Sequence, residues 1–373
     1  MKKIVILGSN FAGIDVALRL RKKAKDAEIT VVDRKNGTQF YPSMYELVTG
    51  KKNIEELEIS LEPLYAKKNI AFINEEIISI NPEKKQVQTT TRTLNYDILV
   101  NTLGAVGNYY NIPGAQEFSH PFKNIEDTLD IKEKLEKITL AGDKTYDIVI
   151  AGSGLTGIEV VFEIREYFNE TKKNASLSII EACDDICPWT NIETRYFIKK
   201  LMEKEKITVK TGFPIKEVTK DAITSAKGDK LNFNMLIWCA GLKTNPINEK
   251  SGIESDNQGI KVDDYLRSIK YAEIFACGDA ASKRLDNNIP LPKTAHSALI
   301  TSRCAADNIV KTLKGKPLKK FSPGRHMPIF IDLGDYGAVM MYKKHIYTRP
   351  GFLYHFMKNL IEAYWLYTRR NLL

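Results

Sequence analysis

The sequence has few of the residues that mark disulfide-stapled or metal-dependent proteins. Its 373 residues include only five cysteines and five histidines. A sparse, odd-numbered set of cysteines in a long chain favours free thiols in a reducing compartment. Cys183 and Cys187 are separated by three residues, and no second cysteine pair or neighbouring histidine completes a zinc site. We therefore expect no metal, and whether these two thiols ever pair stays open.

Long apolar runs are also missing. No uncharged apolar stretch approaches the ~18–20 residues that a membrane-spanning helix requires. The first residues, MKKIVILGSNFAGIDVAL, contain a short apolar run, but glycines interrupt it and Asp15 follows, which is not typical of a signal peptide. With 43% hydrophobic and 27% charged residues, the composition is that of an ordinary globular chain. We expect roughly two or three domains, soluble or attached to a membrane surface.

Charge of one sign is concentrated at one end of the chain. Lys and Arg number 55 against 46 Asp and Glu, so the net charge is +9. Residues 308–373 contain 12 basic and 3 acidic residues, which accounts for the whole excess, and the first 307 residues contain 43 of each sign. A basic segment of this kind favours an anionic surface, either a membrane or a nucleic acid.

The basic segment also contains a candidate amphipathic helix. Its apolar positions recur at helical spacing, at Phe352, Phe356, Leu360 and Tyr364. We place Trp365 beside this stripe, because aromatic residues at the rim are typical of helices that lie on a membrane. Each well-placed basic residue adds ~1 kcal/mol of attraction to anionic lipid. We predict that residues 349–373 bind anionic lipid and that nucleic acid is not a partner. Packing on the chain's own domain, or on a second copy in a homodimer, is the alternative.

The start of the chain has the pattern of a dinucleotide-binding unit. An apolar strand at Lys3–Leu7 precedes a helix from about Ala12 to Lys23, and a second strand ends at Asp33. The turn between the first strand and the helix reads Gly8-Ser9-Asn10-Phe11-Ala12-Gly13.

Three positions of this unit point to a bound dinucleotide. Gly8 allows the tight turn, and Gly13 lets the helix pack close to the strand, so that backbone amides at the helix start can meet a pyrophosphate. Asn10 replaces the usual middle glycine, and asparagine tolerates a left-handed backbone better than other residues do. Asp33 lies 20 residues after Gly13, where a carboxylate can bond ribose hydroxyls.

The same arrangement recurs at Tyr146–Glu181. The second turn, Gly152-Ser153-Gly154-Leu155-Thr156-Gly157, matches the glycine pattern in full. Glu181 closes the second strand, and an acidic cluster there repels a 2′-phosphate, which predicts NADH rather than NADPH. Two dinucleotide sites in one chain have a natural use, because a flavin at one can receive hydride from a nicotinamide at the other.

Three further residues are candidates for the reaction site. Glu159 follows the last glycine of the second turn by two residues and could face the contact between nicotinamide and flavin; a charge favoured by the helix N-terminus is the alternative. Asp279, in CGDAA, could bond a flavin ribityl hydroxyl, cap a helix, or do both. His296, in PKTAHSA, is the histidine of most interest, with a surface or capping role as the alternative.

The order of these elements predicts an α/β fold with two Rossmann-like domains, the second inserted in the first. We expect residues 1–115 and 255–320 to form an FAD-binding domain and residues 116–254 to form an NADH-binding domain. Residues 321–373 form a C-terminal region in this interpretation. In the last region we expect a strand pair between Met327 and Met341 and a membrane-associating helix over Phe352–Tyr367.

Eight segments resemble the type II NADH:quinone oxidoreductases, a family of single-subunit flavoproteins. They are GSNFAG, FYPSMYELVTG, LVNTLGAVGNYYNIPG, GSGLTGIE, LIWCAGLKTNP, FACGDAA, PKTAHSA and FMKNLIEAYWLYTRR. The resemblance covers nearly the whole chain. It implies an enzyme that passes electrons from NADH through FAD to a membrane quinone without pumping protons, and that is peripheral at the cytoplasmic face.

The resemblance also implies site residues. The FAD set is Gly8, Ser9, Asn10, Phe11, Ala12, Gly13, Asp33, Arg34, Ile77, Thr102, Gly104, Asp279, Ala295, His296 and Lys358. The NADH set is Gly152, Gly154, Leu155, Thr156, Gly157, Glu159, Glu181 and Gly241. Catalytic roles fall to Glu159 and His296.

The chain departs from the family at the quinone site. The family has Ala-Gln followed four residues later by a second Gln, and this chain has His296 and Ile300 there. A histidine can bond a quinone carbonyl and deliver a proton, whereas an isoleucine can do neither.

Three other functions compete with this interpretation. The aromatic C-terminal tail argues against a soluble flavin-disulfide or ferredoxin reductase. A sulfide:quinone oxidoreductase would need a cysteine pair near the flavin, but Leu155 occupies the first position and no cysteine follows Cys304. A non-catalytic basic flavoprotein that binds nucleic acid would show affinity that falls steeply with salt.

Overall fold

The computed structural model describes residues 1–140, 144–188, 190–285, 288–323, 329–342, 345–347 and 351–370. The elements of the first 118 residues are β1 (Lys3–Leu7), α1 (Phe11–Lys23), β2 (Glu28–Asp33), β3 (Gly37–Gln39), α2 (Tyr45–Thr49), α3 (Ile54–Leu57), β4 (Glu58–Ser60), α4 (Leu61–Ala66), β5 (Ala71–Asn74), β6 (Ile77–Asn81), β7 (Gln86–Thr89), β8 (Thr93–Asn95), β9 (Ile98–Asn101), β10 (Ala105–Gly107) and α5 (Ala115–Phe118).

The middle of the chain contains β11 (His120–Pro121), α6 (Ile125–Leu140), β12 (Tyr146–Ala151), α7 (Leu155–Glu170), β13 (Ala175–Ile180), α8 (Ile192–Lys204), β14 (Ile207–Lys210), β15 (Ile215–Val218), β16 (Ala222–Ser225), β17 (Lys230–Asn232), β18 (Met235–Trp238), β19 (Leu242–Thr244) and α9 (Pro246–Lys250). The remainder contains β20 (Ser255–Asp256), β21 (Gly259–Lys261), β22 (Ile274–Ala276), β23 (Ala281–Ser282), α10 (Ala295–Leu313), β24 (Ile329–Asp332), β25 (Ala338–Tyr342), β26 (His345–Tyr347) and α11 (Gly351–Arg370).

The first sheet is parallel, in the order β22-β9-β1-β2-β5. Its strands are almost continuously apolar because both faces are covered, as parallel sheets require. Ile4 and Ile6 face a core shared with helices α1 and α10. Val5 and Leu7 face the opposite way, toward the antiparallel sheet β6-β7-β8.

The second sheet repeats this design. It is parallel, in the order β11-β18-β12-β13-β14. Ile148 and Ile150 pack with α6, α7 and α8, while Val149 and Ala151 pack with the antiparallel sheet β15-β16-β17. The predicted pair of Rossmann-like units is therefore confirmed. In both units helices cover one face of the parallel sheet and an antiparallel sheet covers the other.

The chain crosses between the two units twice. It leaves the first sheet after β9, builds the second sheet, and returns to the first sheet at β22. The two crossing segments pair with each other, because β10 runs antiparallel to β19 with Val106 opposite Lys243. The second unit is thus inserted in the first.

The C-terminal region differs from the predicted strand pair. Three antiparallel strands, β24-β25-β26, precede α11. The third strand has only three residues, too few for an alternating pattern to reveal it. Residues 327–328, at the start of the predicted strand pair, and residues 349–350 and 371–373 of the predicted lipid-binding segment lie outside the described residues.

Helix α11 lies against the first domain with one face and leaves the other in solvent. Trp365 is 5% exposed and belongs to the core of the first sheet. Our placement of Trp365 on the exposed rim was wrong, because its ring packs 4.6 Å from the Phe11 ring and 5.4 Å from the Phe40 ring. The opposite face exposes large apolar side chains, namely Phe352, Leu353, Phe356, Leu360, Ile361, Tyr364 and Tyr367.

Candidate functional site

The first glycine turn is closed by tight backbone packing. Gly8 has φ +89, and a Cβ there would lie 2.6 Å from the carbonyl oxygen of Thr102. A Cβ on Gly13 would lie 2.1 Å from the carbonyl oxygen of Gly8, so the helix can approach the strand only with glycine. The Thr102 hydroxyl donates to the carbonyls of Leu7 and Gly8 at 2.7 and 2.9 Å. Thr102 therefore supports this turn from behind.

Asn10 fills the place of the middle glycine in a way that the sequence did not indicate. Its backbone is extended, with φ −116, so its tolerance of the left-handed region is not used. Instead its side chain caps α1: Oδ1 accepts from the backbone N–H of Phe11 at 2.7 Å, and Nδ2 donates to the Thr38 hydroxyl at 2.7 Å. These two hydrogen bonds hold the Asn10 side chain against the protein.

The second turn has the same close backbone packing, but there is free space beside its middle glycine. A Cβ on Gly157 would lie 2.0 Å from the carbonyl oxygen of Gly152, which repeats the relation of Gly13 to Gly8. A Cβ on Gly154 would meet no protein atom within 4 Å. The protein's own packing therefore does not require glycine at position 154, and the space in front of it is free for a ligand that needs close backbone approach.

An acid at the end of the second strand organises each turn. Asp33 Oδ2 accepts from the Ser9 N–H at 2.7 Å, and Glu181 Oε2 accepts from the Ser153 N–H at 3.0 Å. Burial raises the pKa of Asp33. Burial also acts on Glu181, but hydrogen bonds from Cys183 and Ser153 outweigh it and lower the pKa of Glu181. The two units therefore carry equivalent carboxylates beside equivalent helix N-termini, an arrangement suited to a ribose and a pyrophosphate.

The start of α10 meets the first glycine turn. A Cβ on Gly278 would lie 3.1 Å from Ala12 Cβ and 3.4 Å from Ala298 Cβ, so the end of β22 touches the starts of both α1 and α10. The half-buried Asp279 follows at this junction. The ammonium of Lys293 donates to the Asp279 carbonyl at 2.7 Å and ties the segment before α10 to this turn.

The remaining predicted residues range from half-buried to exposed. Ala295, His296 and Ile300 are half-buried on the first two turns of α10. Arg34 is exposed and Ile77 is half-buried at the start of β6. Gly104, at φ +69, and Gly241, at φ +74, adopt a left-handed backbone.

Tyr110 was not predicted, although it lies beside the second turn. A Cβ on Gly241 would lie 2.0 Å from its hydroxyl oxygen, and the nearby charge of Glu181 contributes to raising its pKa after burial. Its ring is 58% exposed. The tyrosine comes from the first crossing segment, so only the fold brings it here.

Glu159 belongs to a cluster of charged groups that the sequence did not show. It is half-buried on α7, and its Oε1 accepts from the backbone N–H of Asp332 at 3.3 Å. Burial raises the pKa of Glu159 to about 8. The Asp332 carboxylate in turn binds Lys358 at 3.0 Å and Tyr45 at 2.9 Å. A carboxyl group in these surroundings can hold and release a proton near neutral pH.

Lys358 has its ammonium inside this cluster. The resemblance implies that it touches FAD. In the structure it donates to Asp332 and to the Tyr45 hydroxyl, and it lies 3.5 Å from Glu46. Lys52 makes a second connection from α11 to the first domain, at 2.5 Å from Glu362 and 3.2 Å from Glu46. Charged residues of α11 are therefore buried against the protein.

The cysteines are free thiols. Cys183 is exposed, and Cys187 is buried and donates to the Ser153 carbonyl at 3.1 Å. Burial raises the pKa of Cys187 to about 12, so this thiol is unreactive. Within the described ranges, no three His, Cys, Asp or Glu side chains come together as a candidate metal site. None of the helices described here has the length and hydropathy needed to cross a bilayer.

The chain is similar to known proteins over most of its length. The family model for pyridine nucleotide-disulphide oxidoreductases matches residues 2–299. A demethylphylloquinone reductase of Synechocystis sp. is 27% identical over 353 residues, covering 91% of this chain and 86% of its own length. A type II NADH:quinone oxidoreductase of Staphylococcus saprophyticus is 24% identical over 342 residues, covering 86% and 85%.

Solved structures match the whole fold. The sulfide:quinone oxidoreductase of Aquifex aeolicus superposes with a TM-score of 0.89 at 20% identity, covering 100% of this chain and 92% of that one. The NDH2 of Plasmodium falciparum in complex with NADH superposes with a TM-score of 0.87 at 21% identity, covering 100% and 96%. At these identities the two structures establish the fold alone.

Proposed function

Because the chain belongs to the pyridine nucleotide-disulphide oxidoreductase family, we propose that it is an FAD-dependent oxidoreductase that transfers electrons from NADH to a membrane quinone. One observation carries the proposal. Two equivalent glycine turns each present a helix N-terminus and a carboxylate, Asp33 or Glu181, that bonds the residue after the first glycine. The relatives named for NADH and quinone chemistry span most of the chain and support the choice of substrates.

FAD fits the first unit. The start of α1 offers N–H groups to a pyrophosphate, Asp33 offers a carboxylate to a ribose, and Asp279 and the start of α10 adjoin the same turn. Bound there, FAD supplies the two-electron chemistry that links a hydride donor to a quinone. The residues that would hold it are those of the predicted FAD set, from Gly8 to Lys358.

NADH fits the second unit. The open space before Gly154 admits a pyrophosphate, and Glu181 stands where the adenosine ribose would lie. The Glu181 carboxylate, beside Asp184 and Asp185, disfavours a 2′-phosphate. Gly241 and Tyr110 adjoin this site. We propose the same domain limits as before: residues 1–115 and 255–320 hold FAD, residues 116–254 hold NADH, and residues 321–373 form the C-terminal region.

Glu159 and His296 handle protons and quinone in this proposal. Glu159 holds a proton that can be delivered when the quinone is reduced, which its raised pKa supports. His296 bonds a quinone carbonyl from the first turn of α10, and Ile300 provides an apolar wall one turn later. A wall of this kind suits the ring or tail of a quinone.

Helix α11 attaches the protein to the membrane surface. Its outer face exposes Phe352 at 76%, Phe356 at 62% and Tyr364 at 68%. A contiguous exposed apolar face of this kind is typical of a surface that binds a membrane or a protein. We propose that this face lies in anionic lipid at the cytoplasmic side, with the quinone entering from the same side. Dimer formation through this face is the competing outcome, and concentration-dependent sedimentation without lipid would reveal it.

The function is tested by an anaerobic spectrum of the purified protein. We expect a yellow flavoprotein that NADH bleaches and a short-chain quinone reoxidises. The superposition with a sulfide:quinone oxidoreductase makes sulfide the proper competing donor. Bleaching by sulfide but not by NADH would favour that second function.

A further inference from the structure

Four distant segments of the chain bring charged groups together around Asp332. Asp332 ends β24, Tyr45 and Glu46 begin α2, His355 and Lys358 lie on α11, and Glu159 lies on α7. The side chain of Asp332 is 4% exposed and that of Lys358 is 8% exposed. Buried charges persist only when they are well paired, so the pairing pattern decides what each group can do.

A single carboxylate oxygen of Asp332 receives three donors. Its Oδ2 lies 3.0 Å from Lys358 Nζ, 3.1 Å from His355 Nδ1 and 2.9 Å from the Tyr45 hydroxyl. The backbone N–H of the same residue points to Glu159 Oε1 at 3.3 Å. Asp332 therefore touches both Lys358 and Glu159, through different groups.

Among the described residues, the hydrogen-bond partners of Lys358 are Asp332 and Tyr45. An ammonium has three N–H bonds. Asp332 Oδ2 and the Tyr45 hydroxyl accept two of them, and the charge of Glu46 Oε2 lies 3.5 Å away without a hydrogen bond. The nearest cation is thus directed at Asp332 and α2, and Glu159 receives a neutral amide instead.

We infer that Asp332 is a positioning residue for Glu159. By holding the ammonium of Lys358, it prevents that charge from pairing with the Glu159 carboxylate, so Glu159 keeps its proton in the working pH range. The inference rests on the proposed function only for the use made of that proton.

The electrostatics agree with this assignment. Burial is the main cause that raises the pKa of Glu159, and the charges of Asp332 and Glu46 also raise it. The Lys358 charge and the hydrogen bond from the Asp332 backbone N–H lower it by less. His355, 39% exposed on its side chain, has a raised pKa because it bonds Asp332. Asp332 itself has a lowered pKa, because its bonds to His355 and Lys358 outweigh burial. It therefore stays charged across the range in which Glu159 titrates.

The test is the substitution Asp332→Asn in the full-length, FAD-loaded protein. The carboxyl titration of Glu159 is followed by NMR with carboxyl-labelled glutamate, and Glu159→Gln assigns the resonance. Asparagine keeps the shape but releases Lys358, so we expect the Glu159 titration to fall by about one to three pH units, the usual effect of a nearby opposite charge. A titration unchanged from that of the wild type overturns the inference.

Tyr45→Phe is the matched control. It removes one donor to Asp332 and one acceptor of Lys358 but leaves the ion pair between the two, so the titration should stay close to that of the wild type. A shift as large as that of Asp332→Asn would mean that general loosening of the cluster, and not the ion pair, controls Glu159, and would overturn the inference. If Asp332→Asn does not fold, Lys358→Met provides the opposite displacement, because loss of the cation should move the titration upward. A downward or absent shift there overturns the inference as well.

The same preparations separate this inference from the proposed function. A wild-type protein that NADH does not bleach refutes the function, while the titrations still decide the role of Asp332. If NADH does bleach it, the alkaline limb of quinone reduction should move to lower pH in Asp332→Asn. That limb should be missing both in Glu159→Gln and in the variant that combines Glu159→Gln with Asp332→Asn.

Discussion

Replacing Trp365 by alanine should destabilise the packing of α11 on the first domain and leave the exposed apolar face of the helix unchanged. The indole packs on Phe11 and Phe40 at 4.6 and 5.4 Å, and the Arg369 guanidinium lies 4.8 Å from its ring centre. Removing a buried tryptophan costs about 3–5 kcal/mol. At about 2 °C per kcal/mol for a large domain, the unfolding midpoint should fall by about 6–10 °C.

The matched control is Phe356→Ala on the opposite face of the same helix. Phe356 is 62% exposed, so its removal should change the free energy of unfolding by less than about 0.5 kcal/mol. Burying a phenylalanine in lipid contributes about 1.5–3 kcal/mol, so this variant should bind anionic vesicles about ten- to a hundredfold more weakly. Trp365→Ala, kept well below its unfolding midpoint, should still bind the vesicles.

The assays are thermal unfolding followed by circular dichroism and flavin fluorescence, and vesicle sedimentation at low and high salt. Trp365→Ala should lower the unfolding midpoint and keep vesicle binding, and Phe356→Ala should weaken vesicle binding and keep the unfolding midpoint. If Phe356→Ala lowers the midpoint as much as Trp365→Ala, or if it leaves vesicle binding intact, the assignment of the two faces is refuted.

Other predictions follow from single contacts. Gly154→Ala should leave the unfolding midpoint unchanged but raise the KM for NADH, because its Cβ would enter only the space proposed for the ligand. Gly157→Ala should destabilise the fold, because its Cβ would lie 2.0 Å from a carbonyl oxygen. Calorimetry measures the change in stability, and steady-state kinetics measures the change in KM. Glu181→Ser should narrow the preference for NADH over NADPH, measured as the ratio of the two kcat/KM values. Burial raises the pKa of Glu163 to about 7 in the folded protein, above its unfolded value, so its contribution to stability is lost as pH rises from about 4.5 through 7. Glu163→Gln should therefore flatten the decline of the unfolding midpoint between pH 5 and pH 8, and an unchanged decline would contradict this.

The parts of the site that follow local rules could be predicted from the sequence. Gly8 and Gly152, with Asp33 and Glu181 after them, lie in short strand–turn–helix units whose spacing is set by the backbone itself. Their geometry is what the pattern predicted. Even Asn10, whose conformation was expected to be left-handed, keeps the turn by capping the helix.

The contacts that join distant segments could not be predicted in this way. Tyr45 and Lys358 meet across 313 positions, and Asp332 reaches Glu159 across 173. No periodicity links such residues, because only the final packing of α7, β24 and α11 brings them together. Trp365 shows the same limit, since helical spacing identifies an apolar stripe but not which of its edges is covered by the protein.

Electron transfer from NADH through the flavin to a quinone can be followed in one anaerobic flavin spectrum with three reagents added in turn. We expect that NADH bleaches the oxidised flavin within the enzyme's turnover time, that NADPH does so much more slowly, and that a short-chain quinone restores the absorbance. A protein that carries no flavin, or one that sulfide bleaches and NADH does not, would contradict it.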